Sequence, residues 1–229
     1  MSKLNTLNTW PQIVKIYGLS TFVLLALMSL MLLLPAETSR YWLREGGLIE
    51  TVSALSYLGV IAYVFWVFKP HFWRRYHYLL ILLLMFCFRE LDFDKRFTEV
   101  GILKSQFLLS QQVPLMQKLL GGLVLLILIY STARALFTHG LRVIQDSLRP
   151  TVQSVGVLLG VAAIVVSKTL DGLERKLQGL GFEVNNWLTQ NASAFEEIIE
   201  LFIPLYFLLA FWGFAKMAHN QSWLRKTVS

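Results

Sequence analysis

Tyr78-Leu79-Leu80-Ile81-Leu82-Leu83-Leu84-Met85-Phe86-Cys87-Phe88-Arg89-Glu90-Leu91-Asp92-Phe93-Asp94-Lys95-Arg96 decides the reading of this chain. Tyr78 to Phe88 carries no charge, and of the eight residues that follow six are ionisable. An uncharged run of this kind belongs to an apolar solvent or a deep core. The abrupt charge block marks the place where the helix meets water, or a node of ion pairs.

The rest of the chain favours the apolar solvent. Of its 229 residues 55% are hydrophobic and 15% charged, where a soluble domain has about a quarter charged. The apolar residues fall in long blocks rather than amphipathic periods, and blocks of about 18 or more read as membrane spans. The expected fold class is therefore all-α: a polytopic integral membrane protein, one transmembrane domain over residues 1–229. Its six transmembrane helices are expected at 16–34, 47–68, 76–91, 118–137, 151–167 and 194–217. The polar lead-in before Ile16 and the poor cleavage match at Leu34-Pro35-Ala36 make the first block a retained span rather than a signal peptide. The third span is short, about 24 Å at ~1.5 Å per residue, against a hydrocarbon core of about 30 Å. Between the third and fourth spans, Val100 to Leu109 is apolar enough to predict an interfacial helix.

Sidedness follows from counting. Six spans place both termini, the loop from Lys69 and the loop from His139 on one side. That side holds eleven of the 21 basic residues and one of the 14 acidic ones, Asp146. The net +7 thus divides into +10 there and −3 on the other side. By the positive-inside bias the termini are cytoplasmic, and the basic excess needs no nucleic acid. The lipid bilayer is the expected surrounding, and a bacterial cytoplasmic (inner) membrane the expected location.

The same count sends nearly every carboxylate to extracytoplasmic helix ends. Glu50 and Ser53 open the second span, with Tyr57 on the same face by i, i+3, i+7 spacing. Arg89, Glu90, Asp92 and Asp94 close the third, and Lys104 lies in the connection after it. Lys168 and Asp171 close the fifth, and Glu196, Glu197 and Glu200 open the sixth. Glu200 lies about 9 Å along its helix. A charge at that depth costs about 2 kcal/mol or more unless paired, hydrated or protonated. Tyr57 apart, these twelve candidate site residues are expected to face one another, Arg89 pairing with Glu50 or Glu200 and Lys168 with Glu197 or Glu200.

No metal or cofactor is expected. Arg89, Lys95 and Arg96 flank the Glu90–Asp94 acids and would neutralise them, and His71, His77, His139 and His219 all fall on the opposite side, away from any zinc or serine–histidine chemistry there. Gly156 and Gly160 let another helix approach closely and offer a face for homo- or hetero-oligomers. The leading functional expectation is a structural or sensory membrane subunit. The alternatives are a small transporter or ion- or proton-handling protein, and a membrane enzyme acting on lipid headgroups in the outer leaflet.

Overall fold

The computed structural model describes residues 9–34, 42, 47–93, 101–102, 106–110, 113–146, 150–183 and 185–227. Among them every regular element is helical. The order is α1 (Trp10–Leu33), α2 (Leu48–Val67), α3 (Pro70–Arg75), α4 (His77–Glu90) and α5 (Gln106–Leu109). Then come α6 (Leu115–Ala135), a π-turn (Leu136–Gly140), α7 (Leu141–Asp146), α8 (Val152–Leu170), α9 (Leu173–Gly179) and α10 (Asn186–Thr227).

Local chemistry explains several boundaries. Pro11 sits in the first turn of α1, and Pro70 begins α3, where a missing amide proton costs nothing. Thr151 and Ser154 form a reciprocal capping box at the start of α8. Gly172, at φ +60, takes the left-handed turn that separates α8 from α9. Asp92, at φ +48, does the same after α4, a conformation aspartate tolerates better than most residues.

Among the described residues five helices are long and apolar enough to cross a membrane: Trp10–Leu33, Leu48–Val67, Leu115–Gly140, Val152–Leu170 and Asn191–Ala218. Their outward faces support that reading. Phe22, Leu33, Trp66, Leu119, Leu126 and Ile129 are all exposed, an apolar surface suited to lipid and costly in water. The chain is an all-helical protein of membrane-embedded type.

The expected third span differs. It is a helix of 14 residues, about 21 Å long. The expected interfacial helix is also different where it is described: only Gln106–Leu109 is helical. Phe107 is fully buried, its ring lying against Gly121, where any side chain would collide with it. This segment therefore docks on α6. The sixth expected span is much longer than its apolar part, 42 residues from Asn186 to Thr227 with Pro204 inside.

That last helix is the centre of the fold. Half of its apolar window is buried, against 11% for the windows of α1 and α6. α8 packs on it most closely. A Cβ on Gly156 would lie 2.8 Å from the Tyr206 carbonyl oxygen, and one on Gly160 would lie 2.9 Å from the Phe207 ring. The Gly156/Gly160 face thus receives the chain's own last helix. α2 and α1 pack on other sides of α10, and α4 packs on α2 and α6. The Tyr17 hydroxyl donates to the Val152 carbonyl at 2.5 Å, tying α1 to the start of α8. At the far end from Arg89, Phe68 and Phe72 stack, with Phe211 and Phe214 close by. There the Tyr78 hydroxyl and His139 Nε2 share a hydrogen bond of 2.8 Å.

Candidate functional site: a charged node at one end of the bundle

Three helix ends converge on the body of α10. α4 brings Arg89 and Glu90 in its last turn, α2 brings Glu50 in its first turn with Ser53 and Tyr57 behind, α8 ends on Ser167 and Lys168, and α10 brings Glu196, Glu197 and Glu200. Arg89 Nη2 donates to Glu200 Oε1 at 2.5 Å, and Arg89 Nη1 donates to Glu90 Oε1 at 3.2 Å. Ser167 Oγ donates to the same Glu200 oxygen at 2.7 Å. One carboxylate oxygen therefore joins α4, α8 and α10. Glu90 and Glu200 are buried, while the Arg89 side chain keeps 28% of its surface exposed. Arginine suits this place because its fork can serve two acids and still meet water.

Ser53 and Tyr57 lie beneath the acids. The Tyr57 ring is wholly buried and stacks on Phe86, with centroids 5.8 Å apart. Its hydroxyl lies within electrostatic reach of Glu90, Glu200 and Arg89 yet makes no hydrogen bond. The Ser53 hydroxyl faces Glu90 without closing a bond of full geometry. Glu197, half-buried, is within electrostatic reach of Glu200, Glu90, Glu50 and Glu196. Cys87 is buried in the hydrophobic core just below.

Lys168 departs from expectation. Its ammonium donates to Asp171 Oδ2 at 2.8 Å, and so it is bonded to its own helix end rather than to Glu197 or Glu200. The reason is proximity: residues three apart already share a helix face. The bond holds the Asp171 carboxyl below the usual aspartate range, and partial burial opposes it. Glu196 lies within electrostatic reach of both Asp171 and Lys168, so this pair is the outer rim of the node. Lys176 of α9 donates to the Lys168 carbonyl at 2.8 Å, capping the end of α8.

The structure thus brings Glu50, Ser53, Arg89, Glu90, Lys168, Asp171, Glu196, Glu197 and Glu200 to one end of the bundle. Asp92 sits in the turn that ends α4. Asp94 and Lys104 lie outside the described residues. Tyr57 stands behind Glu50 and Ser53 on α2, the face its spacing predicts, and Ser167 is a neighbour the sequence reading did not single out. Ser167 had a signal: Gly156, Gly160, Ala163 and Ser167 repeat at helical spacing and are all buried. The serine continues the stripe of small residues that faces α10. Among the described residues no three His, Cys, Asp or Glu side chains converge to hold a metal ion.

Comparison of the chain with protein-family models, with curated proteins and with solved structures finds no match.

Proposed function

We propose that the chain is a six-span protein of the bacterial cytoplasmic membrane, with both termini in the cytoplasm, acting as a structural or sensory membrane subunit. In this reading α4 crosses despite its length, because Arg89 and Glu90 sit at the outer boundary and the bilayer thins around them. The observation that carries the functional half is one-sidedness. The polar node occupies one end, and the packed interior beyond it is built from residues such as Val60, Val64, Ile203 and Ala210. A transporter needs polar groups continuing to the far side; this interior supports a node that joins helices or reads one face of the membrane.

A second reading, proton or ion handling, is favoured by one observation: Glu197 stands among other carboxylates with no hydrogen bond or ion pair of its own among the described residues. Flux measurements in proteoliposomes separate the two. A subunit passes no protons, sodium or potassium above empty vesicles under an imposed gradient. Sustained flux that Glu200→Gln abolishes would sink the subunit reading. Sidedness is tested by placing single cysteines at Lys69 and Glu174 in a Cys87→Ser background. The two positions should label from opposite faces; labelling from the same face overturns the six-span arrangement.

A further inference from the structure

The end of the bundle away from Arg89 is basic. Two stretches meet there, 69–78 and 130–150. They hold Lys69, Arg74, Arg75, Arg134, Arg142 and Arg149 against one acid, Asp146. The chain ends, 1–15 and 216–229, add basic residues and no acid. The excess therefore stands over every residue of these stretches, described or not.

Arg74 and Arg75 are exposed at the end of α3, and Arg134 is exposed in the last turn of α6. Two tyrosine–histidine contacts join the elements between them. His77 Nδ1 lies 2.9 Å from the Arg74 carbonyl oxygen. A carbonyl accepts, so Nδ1 carries the proton and Nε2 of the neutral ring is an acceptor. It faces the Tyr130 hydroxyl at 3.4 Å, and the two rings stack with centroids 6.2 Å apart. Tyr130 and Arg134, four apart on α6, share a face. The second contact is the 2.8 Å hydrogen bond between the Tyr78 hydroxyl and His139 Nε2. The His139 ring lies 5.8 Å from the Tyr76 ring, and Arg75 Cζ lies 5.8 Å over that same ring. Arg75 and Arg134, from different elements, are both within electrostatic reach of the Tyr78 hydroxyl.

Two further features point to a ligand. His139 belongs to the π-turn Leu136–Gly140; such turns are rare, and they are frequent at functional sites. Beside the arginines, Leu136, Phe137 and Leu141 are 64%, 88% and 74% exposed. Cations and large apolar side chains side by side suit a molecule that carries both an anion and a hydrocarbon.

We propose that this patch binds an anionic glycerophospholipid, its phosphate between Arg75 and Arg134 and its acyl chains along Leu136, Phe137 and Leu141. Arginine receives phosphate oxygens through its planar fork, and basic patches where helices meet the headgroups are suited to anionic lipids. A soluble phosphate would meet the arginines and leave the three apolar side chains in water. A choline headgroup is disfavoured, because the Tyr76 ring that a quaternary ammonium would use already carries Arg75. The tyrosine–histidine contacts hold α4 against α6 and the π-turn and so set the distance between the two arginines. This inference rests on the six-span reading, which makes the lipid one of the cytoplasmic leaflet, and goes beyond the subunit role.

The test is native mass spectrometry of the full chain in non-ionic detergent, with phosphatidylglycerol or phosphatidylcholine of the same acyl chains added. Phosphatidylglycerol is expected to bind at the lower concentration. Arg75→Gln and Arg134→Gln should each weaken it about fivefold, and the double variant should bind the two lipids alike. Arg175→Gln, an exposed change on α9 at the other end, should leave the preference intact. All these arginines are exposed, so thermal stability should stay near wild type. Equal binding of the two lipids by the wild type, or a preference that survives in the double variant or falls equally in Arg175→Gln, overturns the proposal. Displacement of phosphatidylglycerol by inorganic phosphate overturns the lipid as occupant in favour of a soluble phosphate. Micelles have no sides and carry no gradient, so the outcome is independent of the labelling and flux measurements that test the six-span and subunit readings.

Discussion

Arg89 and Glu200, 111 residues apart in sequence, meet at 2.5 Å between Nη2 and Oε1. The short last turn of α4 is thereby fastened to the central helix. Removing one partner of a buried pair strands the other, which costs about 3–5 kcal/mol. Arg89 keeps some contact with water, so its loss belongs at the low end of that range. Arg89→Gln removes the cation from Glu200 and Glu90 together and should destabilise by about 3 kcal/mol. Glu200→Gln should cost less, and the double variant less than the sum. Denaturant unfolding in micelles measures all three, and strict additivity would rule out the pair as a coupled unit.

Helix approach at Gly156 is the second point of sensitivity. A methyl group there would meet the Tyr206 carbonyl oxygen at 2.8 Å and the Tyr17 hydroxyl at 2.6 Å. Gly156→Ala should therefore lower stability by about 1–3 kcal/mol, the cost of overpacking. Gly59, on the exposed side of α2, has open space around the same position. Gly59→Ala should be neutral or stabilising by up to about 1 kcal/mol. Similar thermal shifts for the two would show that α8 and α10 do not pack through Gly156.

Phe107 offers a test of the connection between α4 and α6. It is fully buried against Gly121, and Phe→Ala in a packed site costs about 3–5 kcal/mol. Lipid can fill part of the gap here, so a loss of about 3 kcal/mol is expected. Protease sensitivity of the 101–113 region should rise with it. A variant as stable and as resistant as wild type would mean that this segment lies free at the interface.

The Lys168–Asp171 bond should matter little. Both side chains are about half exposed, and exposed pairs contribute about 0.2–1 kcal/mol, screened by salt. Asp171 is held below its ordinary range chiefly by that bond. Its contribution is therefore present above the ordinary aspartate value and is lost as pH falls through the lowered one. Lys168→Gln should cost a few tenths of a kcal/mol at low salt and nothing near 1 M salt. A loss as large as that of Arg89→Gln would place Lys168 inside the node after all.

How much of this was legible beforehand depends on the kind of signal. Apolar blocks are written directly in composition, so α1, α2, α6 and α8 fall within a few residues of expectation, apart from the early start of α1 at Trp10. The gathering of charge at one end followed from counting loops. Helix length beyond the apolar window was not legible: Asn186 to Gln190 and the residues after Met217 are helical yet polar, and hydropathy marks solvent rather than backbone. Rotation about each helix axis was also hidden. It decides that Arg89 meets Glu200 while Lys168 turns to Asp171. Only the small-residue stripe ending in Ser167 carried rotational information, because small side chains mark the line where a neighbouring backbone comes close.

The hydrogen bond from Tyr17 to Val152 also has a meaning in time. The acceptor lies 135 residues downstream of the donor. At ribosomal rates of about 5–20 residues per second, roughly 7–27 s separate the synthesis of the two. During that interval α1 stands in the membrane with neither α8 nor α10 to pack on. The bundle is completed from its C-terminal end, and a chain stopped short of α8 leaves its first helix without the partner that Tyr17 holds, a state that quality-control proteases can recognise.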